Sequence, residues 1–163
     1  MRKFIALAAT VAVTGAVVVL WPLVQASSAA SPGADLAVSG FVAGGEQNVA
    51  TFHPVVFVFK LTNNGPRAIT SSGDQSYTSV SNGTVTDQLC VFPSGDSFNA
   101  DSPFCEYGTL NVHQSAQMTL IVQPDSTAPS GSKLSVRVCS SNESDVPDPV
   151  SQNNCLTKGV TLQ

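Results

Sequence analysis

Beyond residue 32 the chain is written in short runs of alternating apolar and polar residues, and the apolar spacing of a helix occurs nowhere among them. Met118, Leu120 and Val122 alternate with Gln117, Thr119 and Ile121, and Leu134, Val136 and Val138 alternate with Ser135, Arg137 and Cys139. Successive side chains of a strand point to opposite faces, so these are strands with one buried face. Residues 35–39 give a short first strand, and residues 55–62, rich in β-branched and aromatic types, a strong second one. A less regular stretch at 69–80, runs at 84–92 and 104–110, and a last strand carrying Leu156, Val160 and Leu162 complete the set. About seven short strands, with turn signals roughly every 8 to 12 residues, predict an all-β, two-sheet Greek-key β-sandwich.

Residues 1–30 read differently. Arg2 and Lys3 precede an apolar stretch over 4–24, and small residues follow, which is the order of a Sec export signal. Cleavage is expected after Ala26 or after Ala30; the alternative is retention of 4–24 as an uncleaved N-terminal anchor, since that stretch just reaches membrane-spanning length. Residues 31–163 then form one domain of ordinary size. Charged residues make up 11% of the chain, and the formal net charge is -4 with lysine and arginine scattered singly. The electrostatic attraction that dominates nucleic-acid binding is therefore missing, and any membrane contact falls to the N-terminal segment.

All four cysteines, Cys90, Cys105, Cys139 and Cys155, lie in the exported part, where an even count reads as a disulfide framework. Of the possible connectivities, nearest-neighbour pairing is favoured; it closes two loops of similar size, each adding about 3 kcal/mol on the chain-entropy account. A tetrahedral metal site is the competing reading, but paired Cys-x-x-Cys knuckles are absent. Cys139 is out of phase with Val136 and Val138, and Cys155 with Leu156 and Val160. Both cysteines are thus predicted to point away from the core and to bridge neighbouring strands on the outside.

The segments Ala34-Asp35-Leu36-Ala37-Val38, Leu61-Thr62-Asn63-Asn64-Gly65-Pro66 and Gly108-Thr109-Leu110, closed by Pro147-Asp148-Pro149-Val150-Ser151-Gln152-Asn153-Asn154, carry a resemblance. The chain resembles the bacterial and archaeal surface repeat called domain of unknown function eleven and the related CARDB module, named for cell adhesion in bacteria. The resemblance covers most of the chain from Asp35 to Leu162, and the Asp-Pro and Asn-Asn closing turn is its most specific piece. It implies an immunoglobulin-like sandwich and a structural or adhesive role at the cell surface, without catalytic residues or cofactors. The Asn-Asn-Gly-Pro segment also reads locally as plain turn chemistry, with Asn and Gly tolerating positive φ and Pro66 unable to donate to a ladder.

Candidate sites are few. His53 and His113 sit outside any catalytic motif and read as exposed loop residues, and Ser130-Gly131-Ser132-Lys133 matches Ser-x-x-Lys but enters a strand rather than a helix. Two oxygen-rich loops, one with Asp96, Asn99 and Asp101 and one with Asp145, Asp148 and Asn153, are the places where calcium would sit, yet turns demand the same residues. Asn82-Gly83-Thr84 and Asn142-Glu143-Ser144 are formal glycosylation acceptors. The expectation is a non-catalytic secreted or cell-surface module whose partner is a protein or glycan. The competing expectation is a secreted binder of a carbohydrate or a protease, for which Tyr77, Phe98, Phe104 and Tyr107 are the available loop aromatics.

Overall fold

The computed structural model describes residues 33–45, 48–50, 52–70, 73–100, 102–142 and 146–163; the export signal and its cleavage points lie outside them. The strands are β1 Leu36–Val42, β2 Val55–Asn63, β3 Gly73–Ser81, β4 Gly83–Val91, β5 Ser97–Asn99, β6 Phe104–Glu106, β7 Ser115–Pro124, β8 Lys133–Asn142 and β9 Cys155–Thr161, with a short 3-10 helix at Ser151–Asn153. They build two antiparallel sheets, in the orders β1-β2-β7-β4-β5 and β6-β3-β8-β9. The long strands fall into the two immunoglobulin sets, β1-β2-β7-β4 against β3-β8-β9.

Alternation fixes which side of each sheet is buried. Along β7, Ala116, Met118, Leu120, Val122 and Pro124 are buried and the residues between them are half-buried. Phe57, Phe59 and Leu61 of β2 and Leu134, Val136 and Val138 of β8 close over them from the two sheets. The strand count of about seven is too low: β5 is a three-residue edge strand with no alternation long enough to detect. Residues 104–110 do not form one strand either; β6 stops at Glu106, and Leu110 makes an isolated bridge to Ile69.

Where β2 ends, the reason differs from plain turn chemistry. None of Asn63, Asn64 and Gly65 has positive φ. Asn63 is fully buried, and its side-chain amide donates to Arg67 O at 2.7 Å and Leu110 O at 3.0 Å, while its Oδ1 accepts from Gly65 N at 3.1 Å and Asp35 N at 3.4 Å. One amide thus satisfies the backbone of three passing segments. Gly65 is required for close approach, since a Cβ there would come within 2.7 Å of Ala34 Cα.

The edges carry charge or irregularity. Lys158 shares the inward phase of Leu156 and Val160 on edge strand β9, opposite Val136; inward charge on an edge discourages further pairing. Bulges lie between Tyr77 and Ser79 on β3 and between Val85 and Asp87 on β4, and the extra residues, Thr78 and Thr86, turn their hydroxyls to Arg137 O at 3.5 Å and Ile121 O at 3.2 Å.

Candidate functional site

The residue types that carry chemistry are dispersed. His53 is exposed ahead of β2 with its ring 4.4 Å from that of Phe52, and His113 is exposed in the turn before β7 at φ 62°. Ser130 lies in the β7–β8 loop and Lys133 opens β8, so the Ser-x-x-Lys match has no helix beneath it. Among the described residues, no three His, Cys, Asp or Glu side chains gather closely enough to hold a metal ion.

The acidic loops have structural work. Asp96 accepts from Ser94 Oγ at 2.9 Å in the exposed β4–β5 turn, and Asn99 ends β5; Asp101 and Asp145 lie outside the described residues. Asp148 accepts from Leu36 N at 3.0 Å and Val150 N at 2.9 Å, and Asn153 Nδ2 donates to Asp35 Oδ1 at 2.7 Å. The β8–β9 loop is therefore a latch that holds the beginning of β1. Gly33 lies beneath it, and a Cβ there would collide with Pro147 O.

The cysteines form two unlike bonds. Cys90 on β4 pairs with Cys105 on β6, which joins the two sheets through the core, and both are fully buried. Buried amides surround this bond: Gln88 Nε2 lies 3.4 Å from Cys105 Sγ, and Tyr107 donates to Gln75 Oε1 at 2.8 Å. Burial, with Asp74 adding to it, pushes the Tyr107 phenol far above its ordinary range. Cys139 pairs with Cys155, directly opposite in the β8–β9 ladder and on the outer face, where both are half-buried.

The loop aromatics do not gather on one face. Tyr107 is buried against Phe92, so it is no surface candidate. Phe98 and Phe104 are exposed on β5 and β6. Tyr77 is half-buried and lines a cleft of about 290 Å³ with Val85, Asp87, Gln88, Asn99 and Ser102, between the β3 and β4 edges. Gln88 Oε1, buried in its wall, has no hydrogen-bond partner.

What sequence reading missed is the outer face of the five-stranded sheet. Exposed Phe41 stands opposite Val58, Val58 opposite Thr119, and Thr119 opposite Leu89, while Val56 stands opposite Ile121. Apart from Phe41 these residues are half-buried, and together they make a largely apolar strip across four strands, crossed on β7 by Thr119, whose hydroxyl accepts from Gln117 Nε2 at 3.1 Å. The other sheet's outer face is mostly polar: Asp74 stands opposite Ser141, and Ser79 opposite Arg137, itself opposite Thr157, with exposed Phe104 at the β6 edge opposite Ser76. The signal was in β2, where Val55-Val56-Phe57-Val58-Phe59 is uninterrupted; such a run belongs to a strand covered on both faces.

No family model matches the sequence, and no curated protein matches it. Solved structures do match in fold. The solution structure of the CARDB domain of a Pyrococcus furiosus protein is 14% identical, with TM-score 0.51, over 81% of this chain and 97% of that one. BcpA, the major pilin subunit of Bacillus cereus, is 11% identical, with TM-score 0.50, over 78% of this chain and 40% of that one. AvmM, which catalyses macrocyclization in alchivemycin A biosynthesis, is 9% identical, with TM-score 0.50, over 78% of this chain and 88% of that one. The resemblance to CARDB thus stands at the level of the sandwich, a fold these proteins put to different uses.

Proposed function

We propose that this chain is a non-catalytic immunoglobulin-like module of the cell envelope, exported by residues 1–30, folded as one domain over 31–163, and adhesive through the outer face of its five-stranded sheet. The observation that carries this reading is the asymmetry of the two outer faces. A largely apolar strip through Phe41, Val58 and Leu89 is what a protein partner would cover, and the opposite face offers only the single Phe104 at its β6 edge. The sparsely charged, net acidic and hydroxyl-rich remainder suits an extracellular setting, as do the paired cysteines. His53 and His113 are exposed in separate loops and belong to no catalytic motif of the sequence.

The test is retention of the purified domain on cells or envelopes of the producing organism. Phe41→Ser with Val58→Thr is expected to weaken retention at least tenfold, and Ser79→Ala with Thr157→Ala to leave it unchanged. Equal retention of both variants would remove the sheet face from consideration. A second reading, binding of a small saccharide, draws on the cleft where Tyr77, Asp87 and Asn99 surround the unpartnered Gln88 Oε1. Retention abolished by Tyr77→Ala and by free saccharide, but not by Phe41→Ser, would favour it.

A further inference from the structure

We propose that Cys139–Cys155 is a redox-addressable clip, opened by dithiol reductants while Cys90–Cys105 stays closed, and that its opening releases the beginning of β1. Three observations meet here. The bond lies half-buried on an outer strand face, whereas its counterpart is sealed between the sheets; thiol–disulfide exchange needs access to a sulfur. Arg137 lies two residues from Cys139 on the same outer face, opposite Thr157, and its positive charge favours a departing Cys139 thiolate, offsetting the Asp74 carboxylate that stands opposite Ser141 on the other side.

The third observation is what the clip holds. Cys139 and Cys155 bound the segment that contains the β1 latch. Just inside the bond, Ser140 N donates to Asn154 O at 2.7 Å. Further along the same segment, Asp148 takes the Leu36 amide and Asn153 donates to Asp35. With the bond closed, residues 140–154 form a short ring whose ends are fixed; with it open, the ends are held only by the ladder.

The exchange balances with the reductant named. A thiolate of the dithiol attacks Cys155 Sγ, the Cys139–Cys155 S–S bond breaks, and Cys139 leaves as thiolate and takes a proton. The reductant's second thiolate then attacks its own sulfur in the mixed disulfide and expels Cys155. Two electrons and two protons pass to the protein, and the dithiol becomes a disulfide.

The test treats the oxidised protein with dithiothreitol under native conditions, traps thiols with iodoacetamide at intervals, and maps them by mass spectrometry alongside amide exchange. Labelling at Cys139 and Cys155 is expected at least tenfold faster than at Cys90 and Cys105, with exchange rising at Leu36 and Ser140 and unchanged at Leu120. Simultaneous labelling of all four cysteines, or none short of denaturation, would overturn the proposal. So would opening of the pair with Leu36 still protected. The Cys139→Ala/Cys155→Ala variant should reproduce the reduced protein's exchange; if it does not fold, the time course on the wild-type chain decides alone.

Discussion

The two disulfides close loops of nearly equal length, with sequence separations of 15 and 16, and in chain entropy they are near twins worth about 3 kcal/mol each. Their surroundings make them unlike. Cys90–Cys105 ties strands of different sheets together, so it fixes the distance between the two layers of the core. Cys139–Cys155 joins strands already paired, so it adds little to how the two layers are held together, and its own work is to close the ring that carries the β1 latch. The same covalent bond is thus a structural member in one place and a local fastening in the other. Position in the topology, more than loop length, decides which.

The largest effect that could break this comparison comes from removing each bond. Cys90→Ala/Cys105→Ala is expected to cost about 5 kcal/mol, because buried volume is lost along with the cross-link. Cys139→Ala/Cys155→Ala should cost about 3 kcal/mol or less. Urea unfolding followed by circular dichroism measures both, and equal midpoints would mean that loop entropy is the whole story.

Tyr107→Phe sharpens the account of the interior bond. It leaves Gln75 Oε1 without its donor and should cost about 1–2 kcal/mol at neutral pH. Because folding raises the phenol's pKa, the wild type keeps its full stability below about pH 10, where unfolded tyrosine begins to ionise, and loses it progressively above. The variant should lack that alkaline loss, so urea midpoints at neutral pH and above pH 10 distinguish the two proteins. The smallest effect belongs to the exterior region: Asp148→Ala removes the acceptor of two backbone amides and should cost about 1 kcal/mol, with faster amide exchange at Leu36 and unaltered exchange in β7. Global loss of protection in that variant would show that the latch is no local fastening.

The sequence made some of this legible. Period-two alternation located β7 and β8 because each has one wet and one dry face, and phase alone placed Cys139 and Cys155 outside. The short strand β5 escaped because three residues hold no period, and β6 reads as part of a longer run; the sheet each strand joins, and with it the inter-sheet path of Cys90–Cys105, depends on the tertiary fold. Asn63 was legible as a turn residue but not as a buried hub, since its partners Asp35, Arg67 and Leu110 are brought together only by the tertiary fold. The apolar strip around Phe41 and Val58 was visible as an unbroken run in β2, but its cross-strand neighbours Ile121 and Leu89 depend on register.

The latch at Gly33 and the last residues of the chain lie at opposite ends of the sandwich. β1 starts beside the β8–β9 loop, whereas the segment after β9 is held at Ser132 and Val49. A pull applied between these two points would run along β1 and β9 rather than across them. Seven residue pairs between β1 and β2, and seven between β8 and β9, would then be loaded together in shear, and the ladders could not open like a zipper, one rung at a time. Built in this way, the module is suited to bear tension along its long axis.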